Sequence, residues 1–214
     1  GERSDHLLPT AFVTFLQNHD QIGNRAFGER LTSLAKAEVL WALREVQILS
    51  PQVPMIFMGE EWGTRRPFLY FCDFDCDLAA AVREGRRREF SLDSIPDPVD
   101  PETARAGTLD WAELETPRGR DEFYRLRNLL RVRSESLAPR LPRMRAGTTS
   151  GGGDTALQVR WPIESSAVWV MWINLSDERK PLHTAEAPRR GSRRTVYASP
   201  VITDRDDGSS VPNP

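Results

Sequence analysis

Apolar and polar positions follow two different periods along the first part of the chain. Ala11-Phe12-Val13-Thr14-Phe15-Leu16 is a nearly unbroken apolar run, the pattern of a strand buried on both faces, and it stops at Gln17-Asn18-His19-Asp20-Gln21. From Glu29 to Ser50 the period lengthens. Leu31, Leu34, Ala35, Val39, Leu43, Val46 and Leu49 recur at three- and four-residue steps, which predicts one helix ended by Pro51 and Pro54. Val53-Pro54-Met55-Ile56-Phe57-Met58 predicts a second buried strand, closed by Gly59-Glu60-Glu61-Trp62. Strand, helix and strand predict a parallel pair with a right-handed crossover. Two parallel strands cannot cover themselves, so the pattern predicts the tail of a larger sheet or barrel that begins before Gly1.

The next stretch is irregular, with a helix predicted near Leu78 to Phe90 and a turn-rich passage at Pro96-Asp97-Pro98-Val99-Asp100-Pro101. Asp121 to Ser136 predicts another helix, burying Phe123, Leu126, Leu129, Leu130 and Val132, with Pro139 and Pro142 marking a domain boundary. Beyond it the texture turns to β. Ala156-Leu157-Gln158-Val159-Arg160-Trp161 and Val168-Trp169-Val170-Met171-Trp172-Ile173 alternate, Thr195-Val196-Tyr197 predicts a further strand, and Gly151-Gly152-Gly153 a connecting turn. The expected fold class is therefore α/β for residues 1–140, then a small all-β antiparallel sandwich domain over residues 141–214.

Composition narrows the class. The 214 residues are 39% hydrophobic and 28% charged with a net charge of −2, which suits a globular protein and gives no basic field for nucleic acid. No apolar run approaches membrane-spanning length. Cys72 and Cys76 are too few for a disulfide framework or a zinc site; partly buried thiols and a reducing cytoplasm are the expectation. Asp73, Asp75, Asp77 and Glu84 copy part of a calcium-loop spacing, but Leu78 stands where that loop needs glycine; a solvated helix start is preferred, and no metal or cofactor is expected. Arg86-Arg87-Arg88 reads as a solvated helix face. Trp161, Trp169 and Trp172 read as sandwich core.

Both predicted parallel strands end in carboxylates, Asp20 beside His19 and Glu60 beside Glu61, where barrels of this kind place their chemistry. A carboxylate can accept hydrogen bonds from vicinal sugar hydroxyls, and an imidazole adds a directional donor. Spacing alone leaves a helix cap or a buried ion pair open for Asp20, and a helix-terminal or ion-pair role open for the two glutamates.

Phe15-Leu16-Gln17-Asn18-His19-Asp20-Gln21-Ile22-Gly23-Asn24-Arg25 as a whole resembles a conserved region of the α-amylase superfamily, at the end of the seventh strand of its (β/α)8 TIM barrel. The continuation Phe27-Gly28-Glu29-Arg30-Leu31, then Met55 to Trp62, Pro67 to Phe74 and Val82 to Phe90, resembles one subgroup, the maltooligosyltrehalose trehalohydrolases. The resemblance implies the last two strands and helices of that barrel, followed by the β domain. It implies a glycosidase cleaving the α-1,4 bond next to the trehalose end of an α-glucan substrate, with retention. Asp20 matches the third carboxylate, which favours the oxocarbenium-like transition state, and His19 the neighbouring sugar-binding histidine. Gln21, Asn24, Arg25 and Glu60 are the further expected substrate contacts. Nothing here matches the family's nucleophile or acid/base, which lie on earlier strands, so the upstream part of the same barrel is the expected partner. The rival readings are another amylase-type enzyme, such as a branching enzyme or glucosidase, and a non-catalytic carbohydrate-binding piece.

Overall fold

Two short strands, β1 (Val13–Thr14) and β2 (Val53–Pro54), lie parallel in the computed structural model, which describes residues 2–90, 94–151, 156–164, 167–176, 178 and 194–199. Val53 faces Val13 and Pro54 faces Thr14. The Val53 amide donates to the Phe12 carbonyl at 2.9 Å, and the Met55 amide to that of Thr14 at 2.8 Å. The ladder is shorter than the apolar runs predicted. Pro9–Ala11 coils into a 3-10 turn, and Pro54 brings no N–H, so it can stand only where its nitrogen points away from β1. Neither strand is buried on both faces as expected: Val13 is 57% exposed, because among the described residues nothing pairs with the outer edges.

The helix expected from Glu29 to Ser50 is two helices, α2 (Leu31–Leu34) and α3 (Ala37–Leu49), with Ala35 and Lys36 extended between them. Tertiary bonds separate them. The Leu31 amide donates to Gln17 Oε1 and the Thr32 hydroxyl to the Thr64 carbonyl, fixing α2 to the loops rather than to the axis of α3. The buried face of α3 is also not the apolar stripe. It carries Leu40, Trp41, Ile48 and Leu49 together with Arg44, Glu45 and Gln47, while Leu34 is exposed. Each of these three polar side chains has a partner. Arg44 meets Glu122 at 2.7 Å, Glu45 accepts from Tyr197 and Ser199, and Gln47 donates to the carbonyls of Met55 and Thr14, tying α3 to both strands.

After β2 come a 3-10 turn at Glu60–Trp62, then α4 (Cys76–Phe90), α5 (Pro101–Ala106), α6 (Ala112–Glu115) and α7 (Pro117–Val132). Thr116 caps α7, its hydroxyl accepting from the Gly119 amide at 3.0 Å, which starts the helix four residues before the predicted Asp121. Leu126 and Leu129 pack on Trp41, Ile48 and Leu49 to form the main core, whereas Phe123 and Leu130, expected inside, are exposed. Pro139 and Pro142 do not stop the chain abruptly. It passes through a π turn (Arg133–Leu137) into a 3-10 helix (Ala138–Arg143). Arg133 reaches back to the carbonyls of Ile48, Ser50 and Gln52, capping α3.

Strands β3 (Thr148–Gly151), β4 (Ala156–Ile163) and β5 (Ala167–Asn174) form one antiparallel sheet in chain order, with Trp161 opposite Trp169. Trp161 packs into a second core with Leu137, Met144 and Ile163. Trp169 donates its indole N–H to the Leu49 carbonyl, joining the sheet to α3. Trp172 faces the other way and is half-exposed. Among the described residues there is a single antiparallel sheet rather than a sandwich, and Thr195-Val196-Tyr197 forms no strand; Tyr197 packs on α3 instead, held by Glu45. Gly152 and Gly153 lie outside the described residues.

The segments that follow β1 and β2 are tied by a buried hydrogen bond, Gln17 Nε2 to Glu60 Oε1 at 2.8 Å. Glu60 Oε2 accepts from the Phe57 amide. Burial pushes the Glu60 carboxyl above its ordinary 4.5; the Phe57 and Gln17 bonds and the charges of Arg44 and Arg30 oppose this without cancelling it.

Two outcomes are expected. Leu129, 1% exposed, contributes most where α3 and α7 meet, so Leu129→Ala should lower the denaturant-derived unfolding free energy by about 2–5 kcal/mol. Because the folded value for Glu60 lies above the unfolded one, its contribution to stability is full below pH 4.5 and is lost as pH rises through the folded value. The melting temperature of Glu60→Gln, measured against wild type, should therefore climb with pH from about 4.5 and then level off. A difference that stays flat with pH would show Glu60 to be ordinarily ionised.

Candidate functional site

The polar cluster after β1 folds into a five-residue helical turn, α1 (His19–Gly23), which caps itself. Asn18 Oδ1 accepts from the amides of Asp20 at 2.8 Å and Gln21 at 3.3 Å, and Gln21 Oε1 accepts from the Asn18 amide at 2.8 Å. This reciprocal box satisfies donors that so short a turn would otherwise leave bare. Fully buried Ile22 anchors the turn. The cap is thus Asn18 and not Asp20, and Asp20 has no buried ion pair either: its partner is His19 Nε2 at 3.3 Å, with both side chains about two-thirds exposed. Neither bland role accounts for Asp20.

Asp20 opens onto a cleft of about 230 Å³. One wall is polar, from His19, Asp20 and Asn24; the other is the run Phe68, Leu69, Tyr70 and Phe71. That second wall comes from the irregular segment after β2. Gly28 makes its approach possible: at φ +60°, a Cβ there would sit 2.6 Å from the Phe68 carbonyl group. The Phe68 amide donates to the Gly28 carbonyl at 2.9 Å, and its ring meets Phe57 edge-on at 5.2 Å and Phe71 at 5.9 Å.

His19, Asp20 and Asn24 come together in the cleft as expected residues. Gln21, Arg25 and Glu60 do not line it. Gln21 is spent on the capping box, Arg25 donates to the Glu29 carbonyl, and Glu60 is buried beneath Gln17. Glu61 accepts from the Gly59 amide, and Trp62 packs inside against Trp111 at 4.9 Å with its N–H on Glu113.

The aromatic wall and two buried arginines were not singled out from sequence as site residues. Arg30 lies over Phe57 at 5.2 Å and donates to the carbonyls of Arg66 and Met58, holding the loop after β2 against α2. Arg86 is buried, unlike its neighbours Arg87 and Arg88, so the reading of that run as a solvated face fails at this one position. Its position in the α4 pattern, one turn from Phe90 and on the side away from Arg88, is the signal that marks it. Among the described residues no group of three His, Cys, Asp or Glu side chains is arranged for a metal, and no helix is long and apolar enough to cross a membrane.

Comparison with known proteins places this geometry. A family model described as a domain of unknown function, DUF3459, matches residues 144–213. Malto-oligosyltrehalose trehalohydrolase from Deinococcus radiodurans is 34% identical over 92% of this chain and 33% of its own length. The enzyme of that name from Mycobacterium tuberculosis strain H37Rv is 32% identical over 91% of this chain and 33% of its own. That from Saccharolobus solfataricus is 50% identical over a shorter stretch, 47% of this chain and 18% of its own. A crystal structure from Salmonella typhimurium, provisionally described as an alpha amylase, superposes with a TM-score of 0.78 at 41% identity, covering 82% of this chain and 31% of that one. The chain spans about a third of the length of the curated relatives that match nearly all of it. By sequence and by fold, this chain is a relative of the malto-oligosyltrehalose trehalohydrolases of the α-amylase superfamily.

Proposed function

We propose that the chain supplies the sugar-gripping side of a glycoside hydrolase that releases trehalose from maltooligosyltrehalose with retention. The observation that carries this is the cleft itself: an exposed Asp20–His19 pair faces an aromatic run across an open gap. A pyranose ring has hydroxyls on its rim and C–H bonds on its faces, so a polar wall opposite an aromatic one suits it on both counts. Asp20 accepts from two ring hydroxyls and stabilises the positive charge that grows on the sugar as the bond to the leaving group breaks. His19 donates to a neighbouring hydroxyl and holds the carboxylate in place. Asn24, on the same wall, adds an amide that can both donate and accept.

The nucleophile and the acid/base are not assigned to residues of this chain. In this reading they belong to the part of the relatives' length that it does not span, and residues 1–140 join that part as the end of a (β/α)8 barrel. The sheet of β3, β4 and β5 belongs, in the same reading, to the β domain that follows, and Trp169 and Met171 hold it to the α3 core.

The test is made in a complete polypeptide of the relatives' length. Asp20→Asn keeps the shape and removes the charge; it should lower kcat by at least about a hundredfold, roughly 2.7 kcal/mol of transition-state stabilisation. A variant within threefold of wild type would remove Asp20 from the chemistry. Product analysis separates the rivals, because cleavage beside the trehalose end gives trehalose with an intact maltooligosaccharide, a glucosidase gives free glucose from the other end, and a branching enzyme releases no trehalose.

A further inference from the structure

We infer that Arg86 is a positioning residue that sets the width of the Asp20 cleft by clamping its two walls to one buried guanidinium. The inference rests on the proposed sugar-binding role of that cleft. Arg86 projects from α4 and is only 9% exposed. One amino group, Nη2, donates to the Gly23 carbonyl at 3.1 Å and reaches the Arg25 carbonyl at 3.4 Å, gripping the last turn of the segment that begins with His19 and Asp20. The other, Nη1, donates to Glu89 at 3.0 Å on its own helix, which fixes the rotamer. The central carbon of the guanidinium lies 4.8 Å from the centre of the Tyr70 ring and 4.6 Å from that of Phe90, so the group meets two aromatic side chains.

These contacts reach both walls. Gly23 belongs to the polar wall, whose turn carries Asp20; Tyr70 belongs to the aromatic one. The turn and the aromatic run are far apart in sequence, and the run has no regular structure of its own. A planar, permanently charged fork is suited to the task, because it can donate in its plane and stack across it at once. Lysine can supply the charge and a donor but not the stacked plane, and methionine supplies neither. Arg86 touches no reacting atom in this arrangement; it acts through Gly23 and Tyr70.

The experiment uses the complete polypeptide with maltooligosyltrehalose and compares Arg86→Lys, Arg86→Met, Tyr70→Ala and the double variant Arg86→Lys/Tyr70→Ala. If Arg86 sets the cleft width, Arg86→Lys raises KM at least fivefold while kcat falls by less than that factor. Arg86→Met raises KM further. Arg86→Lys and Tyr70→Ala then combine to less than the product of their separate effects on KM, since both relax the same wall. A merely structural arginine predicts something else: less folded enzyme, hence lower apparent kcat and melting temperature, with KM unchanged. An Arg86→Lys variant with wild-type KM, or a double variant whose KM change is the full product, overturns the inference while leaving the proposed function intact. A wild-type enzyme that releases no trehalose overturns the functional reading, and the inference with it.

Discussion

The arrangement hangs on one buried amide. Gln17 follows the first apolar run, and its side chain joins three segments at once: Nε2 donates to Glu60 in the 3-10 turn after β2, and Oε1 accepts from the Leu31 amide at the start of α2. Leaving either partner unsatisfied in the interior would cost about 1–3 kcal/mol, so the amide has little freedom to turn. With Gln17 fixed, the next residue, Asn18, is fixed as a cap, and the turn bearing His19 and Asp20 starts at a defined point above the strand ends. The exposed carboxylate owes its position to an interior contact that never touches solvent.

The two sides of the cleft are built by opposite means. The polar side is a short turn that caps the start of its own backbone. The aromatic side has no ladder or helix to shape it, and it is held by contacts from outside: the close approach allowed at Gly28, the edge-to-face rings of Phe57 and Phe68, and the Arg86 guanidinium against Tyr70. Buried or half-buried arginines recur in this half of the molecule as donors to backbone carbonyls: Arg30 to Met58 and Arg66, Arg86 to Gly23, Arg133 to Ile48, Ser50 and Gln52. Where loops carry the site, side-chain donors take over the role that a sheet or helix performs by itself.

What could be read from the chain follows from this division. The parallel pairing of β1 and β2, the helix ending at Phe90 and the β4–β5 alternation are periodic signals, and all three elements exist. Element extents depart from the pattern where a tertiary contact overrides the period, as at Ala35 and Lys36. The core face of α3 departs from its apolar stripe because Arg44, Glu45 and Gln47 are inside, each with a partner distant in sequence that no local pattern reveals. For the same reason His19, Asp20 and Asn24 could be picked out from a contiguous motif, whereas the opposing wall could not. Phe68 to Phe71 carry no period, and Arg86 was hidden among like charges whose neighbours do face water.

Pro54 sits in β2 with its ring nitrogen directed away from β1, while Val13 of β1 turns a backbone N–H and carbonyl outward on the opposite side. The two-stranded ribbon is therefore asymmetric at its margins. A newcomer strand approaching alongside β2 meets a position that offers no donor, whereas one approaching alongside β1 finds the N–H and carbonyl of Val13 both directed towards it. Growth of this sheet, whether by correct assembly or by unwanted aggregation, is accordingly easier from the β1 side.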